Sequence, residues 1–264
     1  MISVRSDPRL AGVPWRDLVA LNRVEIAREL LISVPWLAIS LFAAHWHAYA
    51  AALAASFMFF LTGLRQVHNA YHYTLGISRR ATEWVMFVLS VLMLGSMHAV
   101  QINHLRHHRD CLGPDDVEAM SAHLPAWRAL LIGPWFPLRL HVKAIEVAAA
   151  RQRRWIVAEL AANAIWIALV FGVLKQPALA YHVLAMTAGQ CLTAFFAVWT
   201  VHHDADDAPF PARTIRDSLK SRASYAMFYH VEHHLFPAVP TCHLALLAAR
   251  LDTIAPELAV LRVF

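Results

Sequence analysis

Charged side chains are scarce: Asp, Glu, Lys and Arg together make up 16% of the 264 residues, while 59% are hydrophobic. A soluble globular domain carries about a quarter charged residues, which argues against an ordinary water-soluble enzyme. Cysteine is rarer still. Cys111, Cys191 and Cys242 are widely spaced and form no CxxC, which argues against both a disulfide framework and a thiolate metal site. A reducing, cytoplasmic-facing active region fits that usage. Polar linkers, low-complexity tracts and internal repeats are missing as well, so the chain reads as one membrane domain over residues 1–264. No signal peptide is expected, because the first long apolar run begins near residue 30 and no small-residue cleavage site follows it. What is abundant is histidine, with 17 residues against 18 Asp plus Glu, so the chemistry is expected to use imidazole.

The mean hydropathy of +0.46 is concentrated in a few segments. Residues 30–44 (LLISVPWLAISLFAA) and 48–64 (AYAAALAASFMFFLTGL) are each close to the length that crosses a bilayer, and the short connection between them predicts a helical hairpin. Residues 155–174 and 177–201 predict a second hairpin, turning at Lys175-Gln176-Pro177. The expected fold is therefore all-α and integral to the membrane, with four spans in two hairpins. Before the first hairpin, residues 14–29 set Trp15, Leu18, Val19 and Ile26 among Arg16, Arg23 and Arg28, the pattern of an amphipathic helix lying on the membrane surface. The expected organisation is 1–29 amphipathic, 30–64 first hairpin, 65–154 an interfacial region, 155–201 second hairpin and 202–264 a C-terminal region.

Basic residues give the orientation, since Lys and Arg are retained on the cytoplasmic side. Five precede the first span, eleven lie in residues 65–154 and six follow His203, leaving Lys175 alone in the far turn. If both hairpins enter and leave on the cytoplasmic side, 22 of the 23 basic residues are cytoplasmic, as in a bacterial inner membrane. The sequence pI of 9.4 then reads as membrane anchoring and not as a nucleic-acid surface, because no basic stripe is interleaved with aromatics. The apolar run at residues 84–100 is long enough for a fifth span, which would separate its two flanks across the membrane.

Three histidine clusters stand out: His68-Asn69-Ala70-Tyr71-His72, His104-Leu105-Arg106-His107-His108 and His230-Val231-Glu232-His233-His234. On a helix, residues i, i+3 and i+4 share a face, so these spacings present two, three and three imidazoles together. Eight convergent imidazoles are too many for one ion and suit two metal ions in one pocket.

These clusters resemble the three histidine boxes (HxxxH, HxxHH, HxxHH) of the membrane fatty acid desaturase and hydroxylase superfamily. The setting of the third, from Phe228-Tyr229 through Leu235-Phe236-Pro237, looks especially like the acyl-lipid desaturase branch. The resemblance runs over roughly residues 30–251 and implies a cytoplasmic helical cap holding two irons, with dioxygen as co-substrate and His68, His72, His104, His107, His108, His230, His233 and His234 as ligands. It implies one further ligand near the end of the last span, His202 or His203, with His202 favoured. Two departures are visible: Val198 and Trp199 stand where related stearoyl-type enzymes place an asparagine, and Asn69 replaces an acidic residue common in the first box. The resemblance also implies that residues 84–100 dip into one leaflet and return, so that the first two boxes meet; Gly95, Ser96 and His98 suit such a path. His98 is expected to make a polar contact and not to bind metal. His45, His47, His123, His141, His182 and His243 are expected outside the centre, and Asp115, Asp116, Asp204, Asp206 and Asp207 stand where carboxylates could orient imidazoles.

The implied reaction is insertion of a double bond into a fatty acyl chain, with hydroxylation of a lipid or hydrocarbon as the alternative, since the two use similar ligands. A zinc protease needs HExxH, and Asn69 stands where its glutamate would be. A histidine-rich metal transporter would hold its ligands near mid-membrane, whereas these clusters flank the spans. The chain shows no HPGG haem motif, flavin fingerprint or cysteine cluster, so electrons are expected from a ferredoxin or similar carrier with its reductase. Arg151, Arg153, Arg154, Arg213, Arg216, Lys220 and Arg222 are basic stretches to which an acidic carrier could dock.

Overall fold

The computed structural model describes residues 7–205, 210–216, 218–261 and 263, and Asp206 and Asp207 lie outside them. Helix α1 (Arg23–His45) starts where the chain caps its own N-terminus. Asn22 Oδ1 accepts from the backbone N–H of Val24 (2.9 Å) and Glu25 (3.0 Å), and Asn22 N–H donates to the Glu25 carboxylate (2.8 Å). This capping box makes residues 14–29 something other than the single surface helix expected from their pattern. Arg16–Leu18 is one isolated 3₁₀ turn, and the helix that begins at Arg23 runs on into the first apolar stretch. Trp15 packs on Phe236 with ring centroids 5.7 Å apart, and Leu18 is buried with Leu235, Leu244 and Leu247. Apolar side chains expected to meet lipid instead cover the C-terminal region.

Helix α2 (Tyr49–Tyr71) returns antiparallel to α1, and the seam between them contains Ala43, Ala44 and Ala52. Such small residues let two apolar helices approach closely. Helices α3 (Arg79–Met93) and α4 (Met97–Asp110) meet at 112°. The break has a local cause: Leu94 adopts a left-handed conformation (φ 57°), and Ser96 Oγ then caps α4 by accepting from Ala99 N–H at 3.1 Å. The apolar run at 84–100 is thus sharply bent, a shape common to a broken span and to a dip and return.

Helix α5 (Trp135–Val147) lies against α4, where Asn103 Nδ2 donates to the Leu140 carbonyl at 2.8 Å. Helix α6 (Ala150–Leu174) ends in a π-helical turn over Leu169–Leu174, and helices α7 (Pro177–Gln190) and α8 (Ala194–His202) meet at 42°. Tyr181 on α7 reaches Ser56 on α2 (3.0 Å), which also bonds Ser40 on α1 (2.7 Å). Short helices α9 (His230–Leu235) and α10 (Leu244–Asp252) follow; among the described residues the sole β-type pairing is the isolated bridge of Thr214 with Tyr229.

Within the apolar windows of α1 and α6 only 28% and 22% of residues are buried, against 61% in α2. Outer faces carrying Ile39, Phe42, Ile165 and Phe171 therefore need an apolar solvent, which a bilayer supplies. Among the described residues three helices (α1, α2 and α6) are long and apolar enough to cross a membrane, and up to five spans result if each bent pair counts as one. The expected four lies within that range, and the second half of the expected second hairpin is the bent pair α7 and α8 where a straight helix was expected.

Candidate metal centre

Helix α2 carries His68 in its last turn and His72 at its C-cap. Their orientation is set by a buried polar network one turn earlier. Glu29 of α1 accepts from Arg65 Nη1 (2.7 Å), Arg65 Nη2 (2.8 Å) and Asn69 Nδ2 (2.8 Å). Asn69 Oδ1 in turn accepts from Thr241 N–H (3.1 Å) and Oγ1 (2.6 Å), tying α2 to the chain that follows α9. Helix α4, freed by its bend, supplies His104, His107 and His108; α8 ends at His202, and α9 supplies His230, His233 and His234.

These imidazoles converge in two groups. In the first, the donor atoms of His68, His72, His104, His108 and His233 lie within 4.8 Å of one another. Nε2–Nε2 separations are 3.0 Å for His72–His104, 3.1 Å for His104–His108 and 2.9 Å for His108–His233. The second brings together His107, Cys111, His202 and His234, again within 4.8 Å, with His107 Nε2 at 3.1 Å from His202 Nε2 and 3.3 Å from His234 Nε2. His230 Nε2 joins it at 2.9 Å from His202 and 3.1 Å from His234.

The other ring nitrogens decide what those short separations mean. His202 Nδ1 lies 2.6 Å from the Pro211 carbonyl, which can only accept, so Nδ1 carries the proton. His107 Nδ1 donates to Asp116 (2.7 Å) and His104 Nδ1 to Glu118 (2.8 Å). In a neutral ring the opposite nitrogen is then a bare lone pair. With both rings neutral, the Nε2 atoms of His107 and His202 would be two acceptors face to face at 3.1 Å, an arrangement that repels unless a cation sits between them. His68 Nε2 is likewise buried with no hydrogen-bond partner. Burial pushes His72 down to about 4 and holds His230, His233 and His234 well below the usual imidazole range, so these rings stay neutral and ready to ligate. Neutral imidazoles in this number suit first-row metals such as iron, zinc or copper, and the residues present fit two such ions.

Two carboxylates orient the rings. Burial works to raise Asp116, yet its bonds to His107 and to the backbone N–H groups of Ala119 and Leu112 hold it below the ordinary aspartate range. Glu118 is raised by burial to about 7. Asp116 belongs to the acidic pair expected to act this way; Glu118 opens a separate 3₁₀ turn (Glu118–Ser121), where no helical spacing ties it to a histidine. Cys111 was set aside for lack of a second nearby cysteine, although it stands four residues after His107 on the same helical face, with Sγ 3.7 Å from His107 Nε2.

His203 is not brought into either group. Its Nδ1 bonds the Trp199 carbonyl (2.9 Å) and its ring stacks on Trp199 at 4.2 Å. His98 bonds Glu159 (2.6 Å) and stacks on Trp155 (4.9 Å), while His182, His141 and His243 contact backbone carbonyls of Leu92, Pro137 and Leu18. The basic stretches are in part internal. Arg216 is engaged by the buried Glu232 and by Asp252, Arg213 reaches the carbonyls of His203 and Asp204, and Arg151 pairs with Glu83 at 2.8 Å. Arg216 therefore braces the third histidine cluster through Glu232, and Arg213 holds the chain that leaves α8.

An apolar cavity opens beside both groups, lined by Leu64, Val67, Phe136, Leu140 and Val198 together with His68, His104 and His230. A family model described as "Fatty acid desaturase" matches residues 44–264. No curated protein and no solved structure matches the chain.

Proposed function

Because the chain belongs to the fatty acid desaturase family, we propose that it is a di-iron membrane oxidoreductase that introduces a double bond into the acyl chain of a fatty acid or lipid. The observation that supports this reading best is the sorting of nine imidazoles into two groups beside an apolar cavity. Iron bound there would supply the activation of dioxygen that amino-acid side chains lack when an unactivated C–H bond must be broken.

The chain's own residues have separate tasks. His68, His72, His104, His108 and His233 would hold one ion, and His107, His202, His230 and His234 the other. Asp116, Glu118 and the Pro211 carbonyl fix three of these rings in the tautomer that presents Nε2 inward, a role that strengthens and orients a ligand. Leu64, Val67, Phe136, Leu140 and Val198 offer an alkyl chain an apolar channel from which water is excluded. Asn69 has both ends of its amide engaged, by Glu29 and Thr241, so it has no part in proton transfer and the protease alternative loses its base. Ligands gathered at helix ends also disfavour a transporter.

The basic-residue count supports a cytoplasmic position for the centre, in a bacterial inner membrane, with electrons from an external ferredoxin-like carrier. The test is metal and lipid analysis together. Protein purified without chelator should carry about two irons per chain, and cells expressing it should gain an unsaturated fatty acid that the His104→Ala variant does not produce. Stoichiometric zinc with unchanged lipids would refute the reading.

A further inference from the structure

The two imidazole groups differ in number. Five histidines share the first, whereas His107, His202, His230 and His234 make four in the second, and the atom that completes it is sulfur. Cys111 caps the C-terminus of α4 and is buried, with Sγ 3.7 Å from His107 Nε2 and 4.0 Å from the Pro211 carbonyl oxygen. That same carbonyl accepts from His202 Nδ1 at 2.6 Å, so Cys111 and His202 meet beside one backbone group. We propose that Cys111 is the fifth protein ligand of the second metal position, a thiolate within an otherwise imidazole centre.

Bond lengths support this. Metal–nitrogen distances of about 2.0–2.1 Å and metal–sulfur distances of about 2.3 Å, at angles between octahedral and tetrahedral, place two nitrogens about 2.9–3.4 Å apart and a nitrogen and sulfur about 3.1–3.6 Å apart. The observed edges of 3.1 and 3.3 Å between nitrogens fall within that range, and the 3.7 Å from nitrogen to sulfur exceeds its range by about 0.1 Å, a gap that a small movement of the Cys111 side chain closes. A thiol hydrogen bond accounts for less. An S–H group has one proton, enough for His107 Nε2 and nothing more, and it does not reach the Nε2 lone pair of His202, whose proton is held at Nδ1 by the Pro211 carbonyl. A cation at the centre of the group takes the inward Nε2 lone pairs of His107 and His202 together with the sulfur.

Coordination would release the thiol proton to solvent as the metal–sulfur bond forms, since a coordinating thiol is deprotonated outright. The two positions would then be inequivalent. One is surrounded by neutral rings; the other gains a negative charge and a soft, electron-donating ligand that favours the more oxidised state of its ion. The inference rests on the two-metal reading above.

Cobalt(II) added to the full-length metal-free protein in detergent is the probe. The wild type should bind two equivalents, with a near-ultraviolet thiolate-to-cobalt charge-transfer band and a sulfur scatterer at about 2.3 Å in X-ray absorption. Cys111→Ala should lose the band and bind one of the two equivalents at least about tenfold more weakly, while keeping the other; Cys191→Ala and Cys242→Ala should keep the band. The sulfur measurement on the wild type stands even if Cys111→Ala fails to fold. Two bound cobalt ions without a sulfur ligand, or a band that survives in Cys111→Ala, overturn the role of Cys111 and leave the two-metal reading intact. Fewer than two bound ions overturn the two-metal reading, and this inference with it.

Discussion

Replacing Glu29 with Ala removes the carboxylate that pairs with the Arg65 guanidinium, which is 2% exposed, and the network around it sets the consequence. Glu29 is fully buried and accepts three short bonds, two from Arg65 and one from Asn69. Removing one member of a buried ion pair leaves an uncompensated charge and costs about 3–5 kcal/mol. At about 2–4 °C per kcal/mol, the melting midpoint in detergent should fall by roughly 6–20 °C. The damage should also reach the metal, because Arg65 lies three residues before His68 and Asn69 lies between His68 and His72. With α2 free to rotate, the first group should bind its ion about 10–100-fold more weakly, the range found when groups that orient ligands are lost. A second variant separates charge burial from loss of packing: in Glu29→Met/Arg65→Met both charges are gone, and replacing a buried pair by apolar residues is often neutral or stabilising. Thermal melting and iron content measured on both proteins decide the matter. If Glu29→Ala melts within about 2 °C of wild type, or if the double variant is no more stable than the single one, the network does not anchor α2 and the reasoning fails.

The adjacent histidines should separate cleanly: His202→Ala loses iron from the second group, whereas His203→Ala keeps about two irons per chain by plasma emission analysis. Asp116→Ala removes the acceptor that fixes His107 and should weaken one iron about 10–100-fold in chelator competition while the other stays bound. Gly133→Ala is expected to destabilise the fold by more than about 2 kcal/mol in thermal melting, because a Cβ there would lie 1.8 Å from the Cys191 carbonyl oxygen and backbone must move to admit it. Leu140→Trp should fill part of the apolar cavity and shift the product profile toward shorter acyl chains in gas chromatography, with iron content unchanged; an unaltered profile would remove this cavity from the substrate path.

The histidine groups were legible because helical periodicity carries their geometry: HxxxH and HxxHH put rings on one face whatever else the chain does. His202 and His203 show where that rule stops. Neighbours on a helix point about 100° apart, so one of them had to face inward, but only the Pro211 carbonyl and the Trp199 ring, brought in by folding, say which. Glu118 was invisible for the same reason, since the separate 3₁₀ turn it opens shares no period with α4. The bend at Leu94 was half legible, because Gly95 and Ser96 marked an interruption while a leucine gives no sign that it will take a left-handed conformation. The N-terminal stretch was misread for a different reason. Asn22 and Glu25 spell a capping box that starts the helix at Arg23, and such a cap outranks amphipathicity in deciding where a helix begins. Cys111 combines both lessons. Its position four residues after His107 carried the same periodic signal as the histidines themselves, and the expectation that cysteine ligands come in pairs obscured it. A single thiol becomes a plausible ligand only when other residues supply the remaining donors, and those come from α8 and α9, some 90 to 120 residues away in sequence.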